Sequence, residues 1–422
     1  MMTVIYFVLI LGITVFIHEL GHFMFAKKYG VYVYEFSIGM GPRLFKFNRK
    51  NDETDYCIRL FPIGGFVQMA GEEVEVDEDI PEEKRLQSKT AFQRFMIMVA
   101  GVMMNFLLAF VLLFLIGLFN PVSVNNVYVN NSSIPNLNDN DKIVEVNGHF
   151  VNNYDKLVLE MTIAADKEFI MTVEDSDGFR KNVEVTPIAV GESNLVYQKD
   201  YGFKVDKFLK VTESNIKNVK KDDIIVAVNG IDVSTHLETI KKISDAGNNL
   251  TLTLKDVNNV TKDVKINVRE NKDDKLIGYS YGFSIAGEEA KGLFGAIKYA
   301  FTKFFSTVEQ MIFTVVYLIT GDISLGMLSG PVGIFSVVGE AGKAGFASVL
   351  SLLCLICINV GFINFLPLPA FDGGHILFII IEKIKGSRVN PKIENIIHTI
   401  GFVLLMILMV LVTYSDIVRL FK

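Results

Sequence analysis

His18-Glu19-Leu20-Gly21-His22 is the segment of this 422-residue chain in which chemistry is most concentrated. Residues four apart on a helix share a face, so both imidazoles could reach one metal ion with the Glu19 carboxylate beside it. Two histidines suit zinc, and zinc lowers the pKa of a coordinated water to about 7. A neighbouring carboxylate could then take that water's proton during attack on a peptide carbonyl. The surroundings add weight. Val4 to Ala26 is almost unbroken apolar sequence. A charge at the centre of a bilayer costs roughly 2.5–3.5 kcal/mol, so charged residues are rare there unless they function.

Zinc needs a third protein ligand and an open position. His149 and His236 lie in a polar middle region, and His375 and His398 lie near or in apolar segments. The best candidate is Asp372, in Asn364-Phe-Leu-Pro-Leu-Pro-Ala-Phe-Asp-Gly-Gly374. Two prolines break the helix there, so the carboxylate can turn inward. Taken alone, the segment also reads as a simple turn at the end of an apolar run.

These residues need a membrane to sit in, and the composition supplies one. Half the residues are hydrophobic, 21% are charged, and 34 Phe stand against no Trp; mean hydropathy is +0.37. That excludes a disordered chain and argues against an ordinary soluble enzyme. A net charge of −6 argues against a nucleic-acid partner. Cys57, Cys354 and Cys357 are too few for a disulfide framework, and the C-x-x-C of Cys354 and Cys357 reads as core packing inside an apolar run.

Four apolar runs, Val4 to Ala26, Phe95 to Phe119, Phe346 to Leu366 and Ile396 to Val412, each approach the roughly 20 residues needed to span a bilayer. The first has no basic leader or small-residue cleavage site, which opposes a signal peptide. Basic residues (Lys27, Lys28, Arg85, Lys89, Arg94; then Lys383, Lys385, Arg388, Lys392) flank the loops joining runs one to two and three to four. Both loops are therefore expected in the cytoplasm, with the middle region outside. Gly292 to Thr320 carries Phe at helical spacing with interleaved charges and is read as a membrane-surface helix. The acidic run Glu72 to Glu83 is read as a solvated loop.

The middle region contains a repeat. Asp141-Lys-Ile-Val-Glu-Val-Asn-Gly148 parallels Asp223-Ile-Ile-Val-Ala-Val-Asn-Gly230, each a strand ending in an Asn-Gly turn and followed by a helix. The pair resembles two PDZ domains, with Asn140 and Asp222 where those domains usually place Gly. PDZ domains bind peptides by adding a strand to a sheet edge; a spacer or steric filter is the alternative reading.

H-E-x-x-H in the first run together with Asn364, Pro367, Pro369, Asp372 and Gly373 in the third resembles the site-2 protease family of intramembrane zinc metalloproteases (peptidase family M50, RseP/RasP type). Phe371 stands where that family has Leu. Further likeness lies in Ser37-Ile-Gly-Met-Gly-Pro42, in Arg59 to Met69, in Ala100-Gly-Val-Met-Met-Asn-Phe106 and in Ser329 to Ile334. The resemblance implies one Zn2+ per chain on His18, His22 and Asp372, with Glu19 activating a zinc-bound water. It also implies substrate contacts at Asn359, Asn364, Gly39, Gly41, Gly64 and Gly65. Asn105 is given no catalytic role, and His375 is read as a neighbour of the metal site rather than a ligand.

The expected fold is a polytopic α-helical membrane protein with four transmembrane helices, an extracytoplasmic α+β insert of two PDZ-like domains and a re-entrant β-hairpin on the cytoplasmic side. The expected parts are residues 1–30 (first span), 31–94 (cytoplasmic-side hairpin segment), 95–120 (second span), 121–200 and 201–289 (PDZ-like domains), 290–345 (membrane-surface helices), 346–395 (third span and loop) and 396–422 (fourth span). The family implies a multi-pass protein of the bacterial cell membrane with its active site toward the cytoplasm. Its substrates would be transmembrane proteins shortened beforehand by a site-1 protease, such as anti-sigma factors or signal-peptide remnants. A non-enzymatic membrane scaffold is the rival reading, but it would need neither metal motif.

Overall fold

The computed structural model describes residues 2–50, 52–72, 79–120, 122–164, 166–272, 274–321 and 330–420. The chain forms two compact units: Met1–Val122 with Ala290–Lys422, and Ser123–Glu289. The helices are α1 (Met2–Lys28), α2 (Ala91–Phe119), α3 (Tyr154–Ala164), α4 (His236–Ala246), α5 (Gly292–Thr320), α6 (Pro331–Ala344), α7 (Phe346–Phe365), α8 (Asp372–Lys385) and α9 (Pro391–Leu420). Among the described residues, four segments are long and apolar enough to cross a membrane: α1, α2, α7 and Lys392–Val418 within α9. They coincide with the four apolar runs.

In the first unit, α1 and α2 cross with their backbones nearly touching. A Cβ on Gly21 would lie 2.4 Å from the Ala100 carbonyl oxygen, so no larger residue fits. Such close approach is how helices associate where lipid removes any hydrophobic advantage. The N-terminus of α2 is closed by a capping box in which Thr90 and Gln93 each satisfy the other's backbone amide. Ile10 of α1, Ala109 and Leu113 of α2, and Val349, Leu353, Cys354 and Cys357 of α7 share one core. The cysteines are free and buried, and Cys357 Sγ lies 3.4 Å from Thr14 Oγ1. They are packing residues, as expected.

The segment Gly292 to Thr320 is one unbroken helix, α5. It pairs Phe304 with Phe106 and Phe301 with Phe110, and Gly117 sits against Ala296. Residue numbers rise on α2 as they fall on α5, so α5 follows α2 antiparallel. The interleaved Lys298, Lys303 and Glu309 are what make the sequence read as a membrane-surface helix here.

Between α1 and α2 lie β1 (Val33–Asn48) and β2 (Asp55–Met69), an antiparallel hairpin. Its register shows a hairpin bent back on itself. Residues 35–38 pair on one side with 65–68 and on the other with 55–58, while 43–48 pair with 55–59. Two strands thus make a sheet of four segments joined by three ladders, turning at Gly39 and Gly64, whose φ values of +87° and +88° suit glycine. Glu35, 2% exposed, receives Arg59 at 2.6 Å and also pairs with Arg43. A buried carboxylate requires such partners.

The second unit holds two small cores of like construction. In each, an aspartate caps the preceding turn: Asp141 accepts from Asn138 N and Asp223 from Lys220 N, both at 2.9 Å. Asn140 and Asp222 have φ of +71° and +74°, so the turn keeps its left-handed geometry without glycine.

The modules are nested rather than consecutive, which corrects the division at residue 200. The first sheet runs in the order Ser284–Ala290, Val122–Asn130, Lys142–Val146, Phe169–Glu174, Arg180–Val185. Its first strand therefore comes from beyond the second module. Leu195, Val219, Ile225, Leu250 and Ile266 form the second core. Ile188–Gly191 pairs with Leu276–Ser280 where the chain enters and leaves that module. Tyr201-Gly-Phe203 and Tyr281-Gly-Phe283 are the sequence sign of this arrangement, since each leads into a strand of its own module.

Gly21→Val should drive α1 from α2 and destabilise the protein by about 1–3 kcal/mol or more. Gly278→Ala, whose added carbon meets nothing within 4 Å among the described residues, should leave the thermal unfolding midpoint in detergent unchanged.

Candidate active site

Helix α1 presents His18, Glu19 and His22 on successive turns, and the crossing with α2 determines how the imidazoles are used. His22 Nδ1 lies 2.9 Å from the Ile97 carbonyl oxygen on α2. A carbonyl only accepts, so Nδ1 carries the proton and Nε2 presents a lone pair. His18 Nδ1 lies 3.4 Å from Asn105 Nδ2, and the buried Asn105 Oδ1 has no hydrogen-bond partner among the described residues. Turning that amide over would let Oδ1 accept from His18 Nδ1 and leave His18 Nε2 free as well.

Asp372 arrives from the far end of the chain as the first residue of α8. The Pro-Leu-Pro stretch ends α7 and turns the chain back toward α1. Asp372 Oδ2 lies 3.1 Å from His18 Nε2 and 3.3 Å from His22 Nε2, and the two Nε2 atoms are 3.1 Å apart. Ligands at about 2.0–2.1 Å from a tetrahedral ion stand about 3.3 Å from one another. The triangle fits zinc. Its electrostatics point the same way, because lone pairs facing at this distance repel unless a cation lies between them. Asp372 would ligate a metal in its ionised form.

The three groups open into a cavity of about 210 Å³ that Glu19, Phe66, Val67, Met69, Met98, Phe371 and His375 also line. The Val67 amide faces the Glu19 carboxylate, and a Cβ on Gly65 would lie 3.6 Å from Glu19 Cγ. Residues 65–69 form one of the two outer segments of the bent hairpin. Their second edge, paired with no strand among the described residues, is turned toward α1 and the cavity.

His18, Glu19, His22, Asp372 and Gly65 are thus brought together. Asn359 and Asn364 lie on α7, half-buried, and neither lines the cavity. Gly39, Gly41 and Gly64 serve the bends of the hairpin rather than the cavity wall. His375 lines the cavity but pairs with Glu394 at 3.1 Å, in keeping with a neighbour of the metal site. Ser329 and residues 73–78 of the acidic run lie outside the described residues. Sequence reasoning missed Asn105 and the Ile97 carbonyl. The only signal for Asn105 was a polar residue in an apolar helix, and a backbone carbonyl gives none.

The sequence model of peptidase family M50 matches residues 6–408. A putative zinc metalloprotease of Fusobacterium nucleatum is 31% identical over 431 residues, covering the whole of both chains. The zinc metalloprotease RasP of Oceanobacillus iheyensis is 30% identical, again over the whole of both. The protease RseP of Yersinia pestis is 29% identical over 98% of each chain. Both metal motifs fall within the matched region, and the chain belongs to peptidase family M50: it is a multi-pass membrane zinc metalloendopeptidase of the site-2 protease family.

Proposed function

We propose that this enzyme hydrolyses peptide bonds within the membrane-spanning segments of single-span proteins, with zinc held by His18, His22 and Asp372. One observation carries the reading. Donors from opposite ends of the chain meet at zinc-ligand spacing beside a glutamate, on a helix otherwise fit only for lipid. A surface protease would have no reason to bear the cost of that placement.

When bound, zinc supplies a Lewis acid that polarises the scissile carbonyl and makes water easier to deprotonate. The protein's own groups do the rest. Glu19 takes the water's proton and returns it to the departing amine. Ile97 O and Asn105 hold the two imidazoles in the tautomers that free their Nε2 atoms. The outer edge of residues 65–69 offers backbone partners to a substrate helix that must unwind before it can be cut, a strand-addition contact. Asn359, Asn364, Gly39, Gly41 and Gly64 would act farther along the substrate, outside the cavity.

The basic residues beside the spans orient the hairpin and active site to the cytoplasm and the Ser123–Glu289 unit to the outside of a bacterial cell membrane. The two nested modules are PDZ-like and act as a filter that admits substrates already shortened by a first protease. One relative is named as a regulator of sigma-W, which favours anti-sigma factors among the substrate classes.

Glu19→Gln should retain near-stoichiometric zinc while cleavage of a model transmembrane peptide falls by about 10²–10⁴-fold. His22→Ala should lose the metal itself; zinc analysis beside a cleavage assay separates the two effects. Deleting residues 123–289 should allow cleavage of substrates that keep a bulky outer domain, read by gel shift in reconstituted vesicles. Unchanged selectivity would remove the filter from the proposal.

A further inference from the structure

Asp372 is delivered by a strained segment. Two residues before it, Ala370 has φ +75°, a conformation that is unfavourable for a residue with a side chain and persists only where its surroundings enforce it. The Ala370 amide donates to His398 Nδ1 at 3.1 Å. His398 lies on α9, the least buried of the four candidate spans: none of the most apolar 18-residue window of Lys392–Val418 is buried among the described residues.

The contacts around His398 form a single stripe. One turn earlier, Glu394 binds His375 Nδ1 at 3.1 Å, and the His375 ring stacks on His398 with centroids 3.9 Å apart and planes 16° from parallel. One turn later, a Cβ on Gly401 would lie 2.3 Å from Pro369 Cβ, so the proline rests directly on the α9 backbone. Positions 394, 398 and 401 share one face. All three press on the segment from Pro369 to His375, at whose centre Asp372 sits.

His375, Glu394 and His398 also place donor atoms within 4.8 Å of one another, the spacing a second metal site would need. Two features oppose it. Stacked imidazoles hold their lone pairs in near-parallel planes, which do not converge on a common ion. The His398 Nδ1 lone pair is also already engaged by Ala370, so the neutral ring carries its proton on Nε2.

We infer that His398 is a positioning residue for the metal site: its Nδ1 holds Ala370 in its left-handed conformation, and that conformation aims Asp372 at His18 and His22. The inference rests on the reading of Asp372 as a zinc ligand. It makes α9 part of the site without placing any α9 atom on the metal.

The test is zinc retention by the purified full-length protein in a chelator competition, together with the visible spectrum of the cobalt-substituted form. His398→Phe keeps a ring to stack on His375 but removes the acceptor; metal affinity should fall about 10–100-fold and the cobalt bands should shift. His398→Asn restores an acceptor where Nδ1 stood and should recover most of that loss. His398→Gln, whose oxygen reaches the Nε2 position instead, should not, and it replaces His398→Phe should the latter fail to fold. Equal weakening in all three variants, or wild-type retention in His398→Phe, overturns the inference. Asp372→Ala is measured in parallel. If it keeps wild-type affinity, the ligand reading itself is lost; if it alone weakens zinc, only the role of His398 is.

Discussion

Polar atoms enclosed in an apolar helix bundle must find partners within the protein, because lipid offers none. That requirement organises the membrane unit. His22 finds Ile97, His18 finds Asn105, and the three donor atoms left over face one another across a space of zinc dimensions. The close passage of Gly21 over Ala100 brings Ile97 and Asn105 within reach. A wider crossing would leave both imidazoles unheld, so the helix packing and the chemistry have the same origin.

The hairpin between α1 and α2 answers a related requirement. A long two-stranded ribbon would leave many backbone groups unpaired, and folding it back makes the inner ladders satisfy one another. The outer segments 43–48 and 65–69 each keep an edge unpaired among the described residues, and the 65–69 edge lies beside Glu19. Glu35, clasped by Arg59 and Arg43, secures the bend from within.

Much of this was legible in the sequence, for identifiable reasons. Apolar runs report spans directly because lipid tolerates little else, and His18, Glu19, His22 and Asp372 belong to patterns whose spacing reflects helical geometry. Less legible were features that depend on backbone atoms or on distant pairing. Ile97 contributes a carbonyl that any residue would contribute. The repeat at Asp141 and Asp223 announced two modules, but their nesting depends on Ser284–Ala290 pairing with a strand more than a hundred residues earlier. The antiparallel packing of α5 on α2 depends on Phe–Phe contacts between distant segments, which its interleaved charges did not suggest.

Nesting also sets an order of events during synthesis. The first module cannot complete its sheet until the ribosome has made the whole of the second, because its edge strand follows Phe283 in the chain. The inner module emerges with its two ends already zipped together by neighbouring strands, so it can mature as a self-contained unit while the outer one waits. A chain released early would carry one finished module and one open sheet, the kind of exposed edge that quality-control proteases recognise.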